Sequence, residues 1–544
     1  MALSVSRFRF YSSSSSVLFF YSAPTIFSSS YSHFIPNTHD AVSLFNSMLH
    51  MRPIPPIIEF GKILGSLVKT NNYNIAISLS KRMEFRGIEP SIVTLNILLN
   101  CFCHLGELKF AFSVLGKILK MGHQPDTITM NTLMRGMSLK GQVKEALHFH
   151  DKIKAQGFQM NNVSYGTLIN GLCKIGETRA AIQLLRKIEG HSIKPDVVMY
   201  NTIIDSLCKD KFINDACHLY SEMIAKGISP SIITYTTIIH GFCIVGQLQE
   251  ATSLFNEMLL KNMNPDVYTF NILVDAFGKE GRVKEAKNML AVMVKASVKP
   301  NAVTYNSLMD GYWLVKEMNA AKYVFNTMAR RGVTPNVQSY NIMINGSCKN
   351  KMVDEAINLF EEMHRKGMVP NTVTYASLIY GLCKLGKFSY AWELIGEMHN
   401  RGQPADIITY NPLLDALCRN HHLDRAITLF KRIKDQGIQP NVYTYTILVD
   451  GLCKGGRLQN AREFFQDLCV KGYQINVCTY NAMINGLCKE GLFDEALTLQ
   501  KKMEDNGCIP DAITFEILIR ALFKKNENDR AEKLLREMVA RGLL

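Results

Sequence analysis

Residues 477–511 read VCTYNAMINGLCKEGLFDEALTLQKKMEDNGCIPD. Tyr480, Met483, Ile484, Leu487 and Cys488 follow an i, i+3, i+4, i+7, i+8 pattern, the apolar face of one helix. Gly491 breaks it. A second series follows at Leu492, Ala496, Leu499 and Met503, with Asp494 and Glu495 early and Lys501 and Lys502 late, the charge order that suits a helix dipole. Gly507 and Pro510 close the stretch. The spacing predicts a helix–turn–helix hairpin.

The same stretch recurs every 35 residues. Tyr-Asn stands at 200–201, 305–306, 340–341, 410–411 and 480–481, in one register with Leu95-Asn96, Met130-Asn131 and Phe270-Asn271. Repeats counted from four residues before that Asn begin at Ile57, Ile92, Thr127, Asn162, Val197, Ile232, Val267, Ala302, Val337, Thr372, Ile407, Val442, Val477 and Ala512, with no insertion. Residues 57–511 thus hold thirteen tandem repeats, 512–544 a truncated one, and 40–56 the second half of an earlier one ("DAVSLFNSML"). One hairpin cannot bury both its apolar faces, but a stack can. The expected fold is all-α, an α-solenoid of about fourteen repeats rather than several globular domains.

The recurring string is VTYNxLIxGLCKxG…EAxxLFxEMxxxGxxPD/N, as in TYASLIYGLCKLGK, TYTILVDGLCKGGR and TYNAMINGLCKEGL. The tetratricopeptide pattern needs a Trp in its first helix, whereas Trp313 and Trp392 occupy non-equivalent places. The string resembles the pentatricopeptide repeat of the plain 35-residue class (P class), over roughly nine-tenths of the chain. LNILLNCFCHLGELKFAFSVLGKILKMGHQPDTITMNTL, from Leu95, and the GLCK turns resemble the restorer-of-fertility-like branch of plants. The resemblance implies a right-handed superhelix that binds single-stranded RNA, one nucleotide per repeat, read by two or three side chains.

It also implies the site. Second-position side chains would clamp bases: Val93, Ile128, Val163, Val198, Ile233, Tyr268, Val303, Val373, Ile408, Tyr443 and Ile513, with Gln338 and Cys478 departing from the pattern. Fifth and last positions would read base edges, since short polar groups donate and accept at hydrogen-bond distance. A helix cap and a turn account for the residue class there, but not for a fifth position that varies among uniform surroundings. By the family code, Asn96/Asp126 and Asn481/Asp511 favour U; Asn131/Asn161, Asn271/Asn301, Asn306/Asn336, Asn341/Asn371 and Asn411/Asn441 favour a pyrimidine. Asn201/Ser231 favours C, Thr236/Asp266 G and Thr446/Asn476 A. The unusual Gly166/Asp196 is given a bracketed G, Ala376/Asp406 leaves its base open, and Gly61/Ser91 and Glu516 are unread. The expected core is 5′-U-Y-(G)-C-G-Y-Y-Y-N-Y-A-U-3′. Lys174, Lys209, Lys279, Lys349, Lys384, Lys454 and Lys489 share the thirteenth position, either as phosphate contacts or as solvated turn residues.

Net charge is +14, from 61 Lys and Arg against 47 Asp and Glu, which favours an anionic partner. Residues 1–39 contain no Asp or Glu, carry Arg7 and Arg9, and are Ser-rich. They read as an organellar transit peptide and linker, mitochondrial first and plastid second. The apolar run Val17–Tyr21 is too short and too far behind a Ser block to make a secretory signal the better reading. No apolar run approaches the ~20 residues of a membrane span.

Catalysis finds no support. Cys103, Cys173, Cys208, Cys243, Cys348, Cys383, Cys418, Cys453 and Cys488 share one register position on the apolar face, so they are expected as core residues, not metal ligands; Cys101 and Cys103 are expected on different faces. GLCKLGKF from Gly381 puts Phe388 where a phosphate loop needs Ser or Thr. His421-His422, His148 and His150 lack partner ligands and are expected in solvated turns or on helix faces. The zinc deaminase pattern and an attached nuclease are missing. The function expected is sequence-specific RNA binding with no cofactor, any cleavage coming from a partner nuclease or processing factor; the alternative is a helical protein-binding scaffold.

Overall fold

The computed structural model describes residues 38–189 and 193–543. All regular structure among them is helical. Fourteen hairpins follow the lone helix Thr38–Met48, which starts two residues ahead of the expected partial repeat. The first helix of each hairpin begins at the first residue of its repeat, as in Ile57–Lys69, Val267–Lys279 and Val477–Lys489. The leader expected at the N-terminus otherwise lies outside the described residues.

Contacts divide the chain into two compact bodies, Met1–Pro230 and Ser231–Leu544. Within each, a first helix packs on its own second helix and on the first helix of the next hairpin. This is the all-α solenoid arrangement.

Local chemistry sets the helix ends. The last residue of each repeat caps the next first helix: Asn371 accepts the backbone N–H of Thr374 at 3.1 Å while its own N–H bonds the Thr374 hydroxyl at 3.1 Å, a reciprocal capping box. The turn between the two helices needs a left-handed residue. Gly491 supplies it at φ 78°; Lys211, Lys316, Lys351, His421 and Asn526 occupy the equivalent place at φ between 59° and 64°. The second helix then starts one residue later than the sequence pattern suggested. Leu492 is its exposed N-cap, and the buried face runs Phe493, Ala496, Gln500 and Met503, with Leu499 half-buried.

The Tyr at the fourth position joins repeats. Its ring meets, edge to face, the aromatic ring at position 24 of the preceding repeat: Phe325–Tyr340 at 5.2 Å, Phe360–Tyr375 at 5.5 Å, Phe430–Tyr445 at 5.4 Å and Phe465–Tyr480 at 5.6 Å. Such pairs contribute about 0.5–1.5 kcal/mol each beyond area burial. His150 occupies that position in its own repeat and packs on Tyr165 at 5.0 Å. It is a buried core residue bonded to Asp151, which corrects the solvated place expected for it, and burial lowers its pKa. His421 and His422 are exposed in their turn.

The Gly and Cys of GLCK interlock between neighbours. A Cβ on Gly381 would stand 2.5 Å from Cys348 Sγ and 2.7 Å from its Cβ. Gly136, Gly451 and Gly486 likewise receive Cys103, Cys418 and Cys453, and Gly346 receives the Trp313 ring. Of the nine register cysteines, Cys173 and Cys243 are half-buried and the rest buried. Burial pushes the thiols of Cys208, Cys348 and Cys383 up to about 12, so they stay protonated and unreactive. Cys101 is buried as fully as Cys103. Among the described residues no cluster of His, Cys, Asp and Glu could hold a metal ion, and no helix is long and apolar enough to cross a membrane.

Candidate nucleic-acid interface

Positions four, seven and eight of each first helix point into the core, which turns position two outward. In the first body Val93, Ile128, Val163 and Val198 are exposed; in the second so are Ile233, Tyr268, Val303, Val373, Ile408, Tyr443 and Ile513, from 50% at Val303 to 66% at Ile233. Gln338 and Cys478 are exposed in the same register. In most repeats of each body the second position thus leaves an apolar side chain in water.

The fifth-position side chains lie deeper. Thr236, Asn271, Asn306, Asn341, Asn411 and Asn481 are buried; Asn96, Asn131, Asn201 and Thr446 are half-buried. Last-position residues sit nearer solvent, with Asp126, Asn161, Asp266, Asn301, Asn336, Asn371, Asn441 and Asn476 exposed and Asp196, Asp406 and Asp511 half-buried.

Several expected pairs are in direct contact. Nδ2 of the fifth-position Asn donates to Oδ1 of the last-position residue in Asn96–Asp126 (3.3 Å), Asn131–Asn161 (3.5 Å), Asn271–Asn301 (3.3 Å), Asn341–Asn371 (3.1 Å) and Asn481–Asp511 (3.1 Å). Asn306/Asn336 and Asn411/Asn441 are bridged instead, by the hydroxyls of Ser339 and Thr444. Thr236 and Thr446 bond Thr269 and Thr479 at 2.8 and 2.6 Å. Gly166 and Ala376 bring no polar group to Asp196 and Asp406. Asn201 and Ser231 belong to different bodies.

The bridging hydroxyl stands at the third position of the following repeat, a place the base-reading pattern does not include. Its signal is visible in the sequence: Thr or Ser fills it in every repeat from Ile92 onward except at Met199.

Cap geometry fixes what each last-position residue can offer. The backbone N–H of Thr374 can donate only to an acceptor, so Asn371 Oδ1 faces inward and its Nδ2 hydrogens are left outside. In Asp511 the inward oxygen is Oδ1, bonded to Thr514 N–H at 2.9 Å, and Oδ2 remains an acceptor. Burial would raise the Asp511 carboxyl, but hydrogen bonds from Thr514 and Asn481 outweigh it and hold the group below the usual carboxylate range; Asp126 behaves alike. An Asn end therefore donates and an Asp end accepts.

The thirteenth-position cations divide into two sets. Lys209, Lys279 and Lys454 pair with Asp205, Asp275 and Asp450 four residues earlier, at 2.5, 2.7 and 2.6 Å. Lys384 lies 4.6 Å over the Tyr380 ring, while Lys174, Lys349 and Lys489 have Asn at the earlier place.

The family model described as "PPR repeat family" matches residues 57–174 and 195–524 in twelve overlapping stretches, and "PPR repeat" matches 163–193 and 513–543. Two Arabidopsis thaliana proteins named as mitochondrial pentatricopeptide repeat-containing proteins are 41% and 47% identical, each over 49 residues. Those matches span 9% of this chain and 8% of each relative, under a tenth of the relatives' length. The crystal structure of the pentatricopeptide repeat protein PPR10 from maize superposes with a TM-score of 0.58 at 24% identity, covering 92% of this chain and 83% of that one. PPR10 in complex with an 18-nt psaJ RNA element gives 0.56 at 22%, covering 93% and 83%. The likeness is one of fold.

Proposed function

Because this chain belongs to the PPR repeat family, we propose that it is a sequence-specific, single-stranded RNA-binding protein of an organelle, the mitochondrion in the first instance and the plastid as the alternative. One observation carries the reading. Asn–Asn and Asn–Asp pairs, hydrogen-bonded and buried at the fifth position, recur beneath a row of exposed aliphatic side chains at the second. A base slotted between successive aliphatics meets a polar floor at each repeat. A scaffold for protein partners has no use for a polar pair that changes identity from repeat to repeat.

The end groups sharpen the expected target. An Asn last residue presents donors, which suit the N3 acceptor of C; an Asp presents an acceptor, which suits the N3–H of U. The pyrimidine positions of the core then become C, giving 5′-U-C-(G)-C-G-C-C-C-N-C-A-U-3′. Lys174, Lys349 and Lys489 are the cations best placed to meet phosphates, being without the Asp that neutralises their counterparts.

Occupying a transcript in this way guides end processing, protects the RNA from exonucleases or controls translation, and a restorer-like role is one instance. Cleavage is left to a partner nuclease. The test uses two exposed cysteines, Cys478 in the second-position row and Cys469 on the second helix of the preceding repeat. The expected RNA should shield Cys478 from alkylation and leave Cys469 reactive, whereas a scrambled RNA should shield neither. Equal labelling of Cys478 with and without the expected RNA would exclude this face.

A further inference from the structure

The third-position hydroxyl sits behind the reading pair and belongs to the next repeat. Thr374 is fully buried. Its oxygen accepts the backbone N–H of Asn371 at 3.1 Å, leaving one hydrogen to donate. The nearer acceptor is Oδ1 of Asn341, in the preceding repeat, at 2.6 Å; Asn371 Oδ1 is at 3.1 Å. The contact repeats at Thr129–Asn96 (2.8 Å), Thr304–Asn271 (2.6 Å), Ser339–Asn306 (2.7 Å), Thr444–Asn411 (2.8 Å) and Thr514–Asn481 (2.7 Å).

A side-chain amide is ambiguous on its own, since a half-turn exchanges acceptor for donor. Here the hydroxyl removes the ambiguity. With Oδ1 of Asn341 held by Thr374, Nδ2 must turn to Asn371, and its second hydrogen is what the Asn341 amide has left to offer a base, beside the outward Nδ2 of Asn371. We infer that the third-position Thr or Ser, where it makes this contact, is a positioning residue for base recognition: it fixes the donor face of the preceding repeat's Asn, so that each of these six readers is a trio spanning two repeats. The inference rests on the RNA reading proposed above.

Three exceptions delimit it. Ser164 bonds its cap Asn161 at 3.1 Å and not Asn131, whose buried Oδ1 is left unheld. Thr409 follows Ala376, which has no amide to orient, and its hydroxyl bonds only the cap Asp406, at 2.9 Å. Met199, which lacks a hydroxyl, follows Gly166, which lacks a side chain.

The test is equilibrium binding of the full chain to RNAs varied one nucleotide at a time. Thr374→Val should lower the C-over-U discrimination at the nucleotide facing Asn341 by roughly three- to tenfold and leave the others unchanged. Thr374→Ser should restore it. Thr409→Val removes a hydroxyl from the same capping place and should alter no base preference. Unaltered discrimination in Thr374→Val, or an equal loss in Thr409→Val, overturns the inference. A wild-type chain that binds RNA without base preference, or binds none, overturns the RNA reading itself. A gain of function guards against misfolding of the Val variant. Gly166→Asn, where a Cβ meets nothing within 4 Å, should gain preference for U with Asp196 only when combined with Met199→Thr. Equal preference with and without Met199→Thr counts against the positioning role.

Discussion

Tyr445, on the first helix of its repeat, donates its hydroxyl hydrogen to Asp467 on the second helix at 2.6 Å. Lys471 donates to the same hydroxyl at 2.6 Å and to Asp467 at 2.9 Å, closing a triangle. Tyr235–Glu257–Lys261 and Tyr340–Glu362–Lys366 repeat it, the hydroxyl tying the two helices of a hairpin. At Tyr340 and Tyr445 the ring also ties one repeat to its predecessor. Tyr445→Phe keeps the ring and loses the hydroxyl. It should cost about 1–2 kcal/mol in thermal or urea denaturation. Tyr410→Phe, whose hydroxyl has only Gln436 at 3.4 Å, should cost less.

The same triangles predict a response to acid. The hydrogen bond from Lys261 holds Glu257 low; burial would raise Asp467, but the bonds from Tyr445 and Lys471 outweigh it. A carboxyl whose pKa is lower folded than unfolded stabilises the fold above the ordinary value, about 4, and that stability is lost as pH falls through the depressed one. Melting temperature should therefore decline below about pH 4, and less steeply in Tyr445→Phe. Parallel curves for the two proteins would detach the triangle from acid sensitivity.

Gly381→Ala places a methyl group against Cys348 where neither helix has room. Overpacking of this kind costs about 1–3 kcal/mol. Cys348→Ala removes the sulfur and should recover part of the loss, so the double variant should be more stable than the sum of the singles. Additive losses would show that the two residues do not share the space.

Asn371→Asp keeps the inward oxygen on the Thr374 backbone and exchanges an outward donor for an acceptor. Preference at that nucleotide should move from C to U by roughly tenfold, read by fluorescence anisotropy on paired RNAs. Asn481→Thr should move preference at its own nucleotide from U toward G. Preference that stays put in both would show that the register of reading is misplaced.

The period, the hairpins and the first-helix face were legible because one pattern of apolar spacing recurs without a gap. Two features escaped. The second helix was displaced by one residue because apolar spacing does not distinguish an N-cap from a first turn: Leu492 and Phe493 are both apolar, and only the left-handed turn at Gly491 decides between them. His150 looked solvated as an isolated polar residue, yet register alignment places it with Phe325, Phe360 and Phe430. The reading pairs were visible as variable positions in a uniform string. The hydroxyl behind them was hidden by its own constancy.

That each trio draws its third member from the following repeat bears on how such genes recombine. A crossover at the 35-residue junction, between Asn371 and Thr372, would part Asn341 from Thr374. A crossover one step inside the next repeat, between Thr374 and Tyr375, carries Asn341, Asn371 and Thr374 across as one inheritable cassette. What it separates is Phe360 from Tyr375, an aromatic pair that re-forms where the incoming repeat also carries a ring at position 24, as at Phe255, Phe325, Phe430 and Phe465. Between repeats matched in this way, new specificities can be spliced from old ones without refitting the seam.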